Sequence, residues 1–89
     1  MRTVILYHPN SEQAAMAETF KHDYEQRHYG FKIELVSLET TAGADMARTY
    51  DITRYPAILA LNDDGGFMQM WQDQPWPPIE EVFSYSAGR

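Results

Sequence analysis

His8 and Ser11 are the two side chains whose types and spacing could form a hydrolytic pair. They are three residues apart, so an imidazole could act as the base for a serine nucleophile. Such a pair also needs an orienting acid and an oxyanion hole, and the neighbouring sequence indicates neither. Ser11 is at the same time a preferred residue for the N-cap of a helix, as is Asn10, which has the capping-box spacing to Gln13. The sequence therefore favours a helix cap at Ser11 over a catalytic serine.

The histidines do not have the spacing of a metal site. His22 and His28 are six residues apart, whereas two ligands on one face of a helix are usually four residues apart. His8 lies at the opposite end of the same predicted helix. The chain contains no cysteine, so it has no thiolate ligand, no disulfide and no thiol nucleophile. We predict neither a metal site nor a cofactor.

The composition limits the classes of partner. The chain has 89 residues, with 13 acidic and 7 basic side chains and a net charge of -6. The basic residues are scattered, whereas nucleic-acid binding requires clustered Lys and Arg. No segment is apolar for long enough to span a bilayer, and the N-terminal apolar run is too short for a signal peptide. The sequence predicts a single domain over 1–89 and a cytoplasmic protein with a protein or peptide partner; it leaves the oligomeric state open.

The hydrophobic pattern predicts the element order β-α-β-α-β-β-α. The predicted strands are 2–7, 31–36, 57–61 and 67–71, and the predicted helices start at residues 11, 44 and 77. Residues 40–43 are predicted to form a loop. The Gly-rich segment 62–66 predicts a hairpin turn. Two βα units should bring the first three strands together, and the hairpin should add an antiparallel edge. The predicted fold class is α/β with a mixed four-stranded sheet.

Tyr50, Ile52 and Pro56 form a Tyr-x-Ile-x-x-x-Pro pattern immediately before the most apolar predicted strand. Together with the element order, this pattern resembles the thioredoxin-like superfamily in its minimal form, from Val4 to Phe83. The resemblance implies a thioredoxin-like fold with sheet order 2-1-3-4 and an antiparallel last strand. It also implies that Pro56 follows a cis peptide bond and lies beside Ser11.

The chain lacks the Cys-x-x-C motif of that superfamily. Ser11 takes the place of the first cysteine and Ala14 that of the second. Thiol–disulfide exchange requires a thiolate, and the serine hydroxyl stays protonated without an adjacent base. We therefore predict that the protein is not a thiol–disulfide oxidoreductase.

The resemblance also implies where binding would occur. In this superfamily the backbone before the cis-proline pairs with an extended peptide or with glutathione. We predict a redox-inactive binding module that uses the loop before Pro56 and the N-terminus of the first helix. The predicted surface comprises Asn10, Ser11, Ala14, Tyr55 and Pro56, extended by Trp71 or Trp76, of which Trp76 is expected in an exposed loop. One alternative is a glutathione or other small-molecule binding protein of the glutaredoxin-like type. Another is a structural subunit that oligomerises through an edge strand or the Trp76 loop.

Overall fold

The computed structural model describes residues 2–72 and 75–86. Within these ranges the strands are β1 (Arg2–Tyr7), β2 (Ile33–Ser37), β3 (Ala57–Leu61) and β4 (Phe67–Gln72), and the helices are α1 (Glu12–Arg27), α2 (Thr41–Thr49) and α3 (Ile79–Ser86). The predicted order β-α-β-α-β-β-α is confirmed. None of the helices in the described residues is long and apolar enough to cross a membrane.

The four strands form one mixed sheet in the order β2-β1-β3-β4, as predicted. β1 and β2 are paired in parallel, and α1 forms the crossover that connects them. β3 runs antiparallel to β1, and β4 runs antiparallel to β3. The direction of β3 differs from a simple repeat of βα units, which would have made the first three strands parallel. The two inner strands, β1 and β3, supply most of the fully buried side chains.

Side chains alternate between the two faces of the sheet, so each face has its own core. On the face covered by α2, the core is aliphatic and includes Leu6, Ile52 and Leu59. On the face covered by α1 and α3, Tyr24 is buried with Ile58 and the partly buried aromatic side chains around it. The protein therefore has three layers, with one helix on one side of the sheet and two helices on the other.

Several predicted boundaries differ from the structure by one to three residues, and the starts of α2 and β2 are two of them. The segment 40–43 is not a loop, because α2 begins at Thr41. The Thr40 hydroxyl accepts a hydrogen bond from the Gly43 N–H at 3.0 Å and caps the helix three residues earlier than predicted. The second strand begins at Ile33 rather than at Phe31, which is 41% exposed. Both differences lie at element ends, where the spacing of apolar residues is a weak guide to the exact boundary.

Candidate functional site

Ser11 caps the first helix. Its hydroxyl oxygen accepts a hydrogen bond from the Gln13 N–H at 3.2 Å and donates one to the His8 carbonyl at 2.8 Å. The Gln13 side chain in turn accepts from the His8 N–H at 3.0 Å. The Ala14 N–H donates to the Ser11 carbonyl. Residues 8–14 therefore form a turn closed by reciprocal hydrogen bonds, and the prediction of a cap at Ser11 is confirmed.

The same contacts show that His8 and Ser11 do not form a nucleophile–base pair. Ser11 donates its hydroxyl proton to the backbone carbonyl of His8, not to the imidazole. The imidazole instead meets the ring of Tyr55 edge to face, with the ring centroids 5.3 Å apart. His8 thus connects the start of α1 to the loop before β3. This connection brings the two halves of the predicted surface together.

The loop before β3 has a defined conformation around Tyr55 and Pro56. The Tyr55–Pro56 peptide bond is cis, as the sequence resemblance implied. The Tyr55 hydroxyl donates to the Ile52 carbonyl at 2.8 Å, and burial raises the pKa of this phenol. The Pro56 ring is fully buried. Pro56 is therefore buried beneath the loop, and the Tyr55 side chain is half-buried against the aliphatic core.

Gln72, which sequence reasoning did not assign to the site, holds this loop in place. Its side-chain carbonyl accepts hydrogen bonds from the Thr53 N–H at 2.9 Å and the Arg54 N–H at 3.1 Å. Gln72 is the last residue of β4 and pairs with Ala57 at the start of β3. A register shift between Ala60 and Leu61 places position 72 next to the loop, because a regular hairpin would have paired Ala57 with Trp71 instead. The amide side chain is suited to the role because its oxygen can accept two hydrogen bonds.

The two tryptophans are held by the protein rather than lying free on its surface. The Trp76 indole N–H donates to the Pro56 carbonyl at 3.3 Å, and its ring meets Phe20 edge to face at 5.1 Å. Trp76 lies in a loop, as predicted, but its side chain is half-buried rather than exposed. The Trp71 indole N–H donates to Glu81 on α3 at 2.8 Å. Trp76 borders the Pro56 loop, and Trp71 ties β4 to α3.

The arrangement suits binding better than acid–base or metal chemistry. Asn10 and Ser11 are exposed and Ala14 is half-buried, so the start of α1 presents small polar groups to solvent, and the preceding His8 contacts Tyr55. The described residues contain no group of three His, Asp or Glu side chains that could hold a metal ion. The available chemistry is hydrogen bonding by peptide groups and contact with the Tyr55 ring.

Comparisons with known proteins bear on the fold alone. No protein-family model matches the chain, and no curated protein matches it. A solved structure described as that of a malarial protein superposes on it with a TM-score of 0.64. The match covers 96% of this chain and 91% of that chain, with 13% sequence identity. The likeness therefore extends over the whole domain, and at this identity it indicates a shared architecture.

Proposed function

We propose that the chain is a redox-inactive member of the thioredoxin-like superfamily that binds an extended peptide segment of a protein partner at Tyr55. The observed element order and the sheet order β2-β1-β3-β4 agree with what the sequence resemblance implies. The start of α1 and the loop before β3 meet through His8 and Tyr55. These observations support the superfamily assignment and the position of the binding surface.

The state of the Tyr55 peptide group is the observation that carries the proposal. Within residues 2–72 and 75–86, neither the N–H nor the carbonyl of Tyr55 has a hydrogen-bond partner. The preceding N–H groups, of Thr53 and Arg54, are both bonded to Gln72. A donor and an acceptor on one residue are what an added strand needs for its first pair of ladder bonds. The Gln72 contacts fix the loop in advance and lower the entropy lost on binding.

The start of α1 explains why this surface would bind without exchanging electrons. Where the superfamily has its first cysteine, Ser11 uses its hydroxyl as the helix cap. Ala14 places only a methyl group at the second position. Neither side chain can form a mixed disulfide with a partner. A peptide held at Tyr55 would therefore bind and dissociate without covalent chemistry.

Selection of peptides followed by NMR tests this proposal. Random linear peptides displayed on phage are selected on the immobilised protein, and a selected peptide is titrated into the labelled protein. We expect the Tyr55 amide to show the largest shift and to become protected from hydrogen exchange. We expect Gln72→Ala to weaken the affinity by about fivefold, because a hydrogen bond contributes about 1 kcal/mol to ordering the loop.

Gln26→Ala is the matched control, because Gln26 is an exposed amide on α1, and it should leave the affinity unchanged. Selected peptides that shift residues far from Tyr55, or an affinity that Gln72→Ala does not alter, would contradict the proposal.

Arg54 favours a second candidate, the binding of glutathione. The Arg54 side chain is exposed next to Tyr55 and has no ion-pair partner within the described residues. A free guanidinium beside an open peptide group could bind one of the glutathione carboxylates. Titration with glutathione should then shift the amides of Asn10 and Tyr55, and Arg54→Gln should abolish the shifts. Unchanged amides during the titration would exclude this candidate.

A further inference from the structure

A groove of about 400 Å³ lies between α1 and the segment that leads into α3. Most of its lining is apolar, with Met16, Phe20, Trp76 and Ile79 as the large side chains. This volume is within the range of small-molecule sites, which start at about 300 Å³. The groove is distinct from the loop at Tyr55, although Trp76 borders both.

Among the residues that the structure describes, Asp23 is the only charged one in the lining of this groove. Within the described residues its carboxylate forms no ion pair. Its neighbours in the groove include the aromatic side chains of Phe20 and Trp76, and the faces of aromatic rings attract cations. The chain as a whole carries a net charge of -6, so its long-range field also favours a positive ligand.

We infer that this groove binds a small organic cation, with an apolar body against Trp76 and an ammonium group facing Asp23. The apolar body and the positive charge of the ligand would be recognised by different residues. The apolar walls select for a ring or a branched chain, because they provide no hydrogen-bonding partner for a polar body. The carboxylate selects for a single positive charge at one end. A neutral ligand of the same shape would lose the charge contact, and an anion would be repelled.

Through Trp76, a ligand in the groove would also affect the neighbouring Pro56 loop, where NMR could detect it. Its indole N–H holds the Pro56 carbonyl at 3.3 Å while its ring lies against Phe20. A ligand that packs on the indole therefore changes the environment of a side chain bonded to the Pro56 loop. Binding of the cation does not depend on peptide binding at Tyr55, so the two proposals can fail separately.

The test compares two probes of nearly identical shape, 2-phenylethylammonium and neutral 2-phenylethanol. Each is titrated up to about 10 mM into the labelled wild-type protein while NMR follows the side-chain signals of Phe20 and Trp76. We expect both probes to shift these signals, with the cation bound about fivefold more tightly, as an exposed ion pair allows. In Asp23→Asn the two affinities should become equal.

Two further variants test whether the binding depends on the residues of the groove rather than on the negative charge of the whole chain. Asp64→Asn, on the exposed hairpin turn, removes the same charge from the chain and should leave the preference for the cation intact. Trp76→Leu should weaken both probes, because it removes the aromatic wall. Equal affinities of the two probes in the wild-type protein, a preference that survives Asp23→Asn, or no shift at Phe20 and Trp76 would each overturn the inference.

Discussion

The two faces of the sheet are filled in different ways, although neighbouring residues of one strand supply both. Leu59 points to the face covered by α2 and Ile58 to the face covered by α1 and α3. The buried core of the first face is aliphatic, and the start of α2 lies so close to Ser37, at the end of β2, that Gly43 has no room for a side chain. The second face contains more aromatic side chains, with Tyr24 in contact with the rings of Phe20 and Phe83.

The two candidate sites lie at different faces. The Tyr55 side chain packs against the aliphatic core of the first face. The groove lies at the second face, where Phe20 and Trp76 meet edge to face, a common arrangement of aromatic pairs, and border a recess. Trp76 also reaches the Pro56 carbonyl. Packing at the aromatic face therefore stabilises the fold and also shapes a surface that can bind.

Tyr24→Ala should have the largest effect, because the aromatic face depends on this fully buried ring. We expect the free energy of unfolding to fall by about 4 kcal/mol, as for other large-to-small changes of buried aromatic residues. Urea denaturation measures the loss. Tyr29→Ala is the matched control, because Tyr29 is 96% exposed, and it should change stability by less than about 0.5 kcal/mol. Similar losses for the two variants would mean that the rings do not hold this face together.

Gly43→Ala should have the next largest effect and tests the opposite face. An added Cβ would collide with the Ser37 carbonyl oxygen, so α2 must shift away from the end of β2. We expect a loss of about 3 kcal/mol in the free energy of unfolding. Gly30→Ala measures the cost of backbone strain without a steric clash, because Gly30 has a φ of +95° but open space around it. That variant should lose only about 1 kcal/mol, and an equal loss for both would contradict close packing at Gly43.

Glu25→Gln should have the smallest effect and tests the polar border of the aromatic face. The Glu25 carboxylate accepts hydrogen bonds from Lys21 at 2.6 Å and from the Ile33 N–H at 2.9 Å. Burial alone would raise the pKa of Glu25, but these two contacts, together with the charges of Lys21 and Lys32, hold it below its ordinary value of 4.5.

Because the folded pKa of Glu25 is the lower one, the carboxylate stabilises the protein above pH 4.5, and this contribution is lost as the pH falls through the folded pKa. Denaturation between pH 7 and pH 3 should show a smaller pH dependence in Glu25→Gln than in the wild-type protein, and a loss of about 1 kcal/mol at pH 7. Glu34→Gln, at the more exposed Arg2 pair, should cost less. An unchanged pH profile for Glu25→Gln would contradict this assignment.

Much of the fold could be predicted because its signals are local. The apolar runs of β1 and β3, the turn at 62–66 and the cap at Ser11 each depend on a few consecutive residues. The spacing of apolar residues does not predict the start of α2, because Thr40, which caps this helix, lies outside that apolar pattern. The candidate site could be predicted only in part. The sequence indicates Ser11 and Tyr55 as site residues, but it does not indicate that His8 contacts both of them.

The sequence by itself determined the element order, the helix cap at Ser11 and the absence of cysteine chemistry. These properties follow from residue type and from spacing along the chain. Only the tertiary structure decided that Gln72 holds the loop at Thr53 and that Trp76 is half-buried against the Pro56 carbonyl. These contacts join residues about twenty positions apart, and their geometry depends on how strands and helices pack. A pattern of consecutive residues carries no information about that packing, so the shape of the binding surface emerged only from the folded chain.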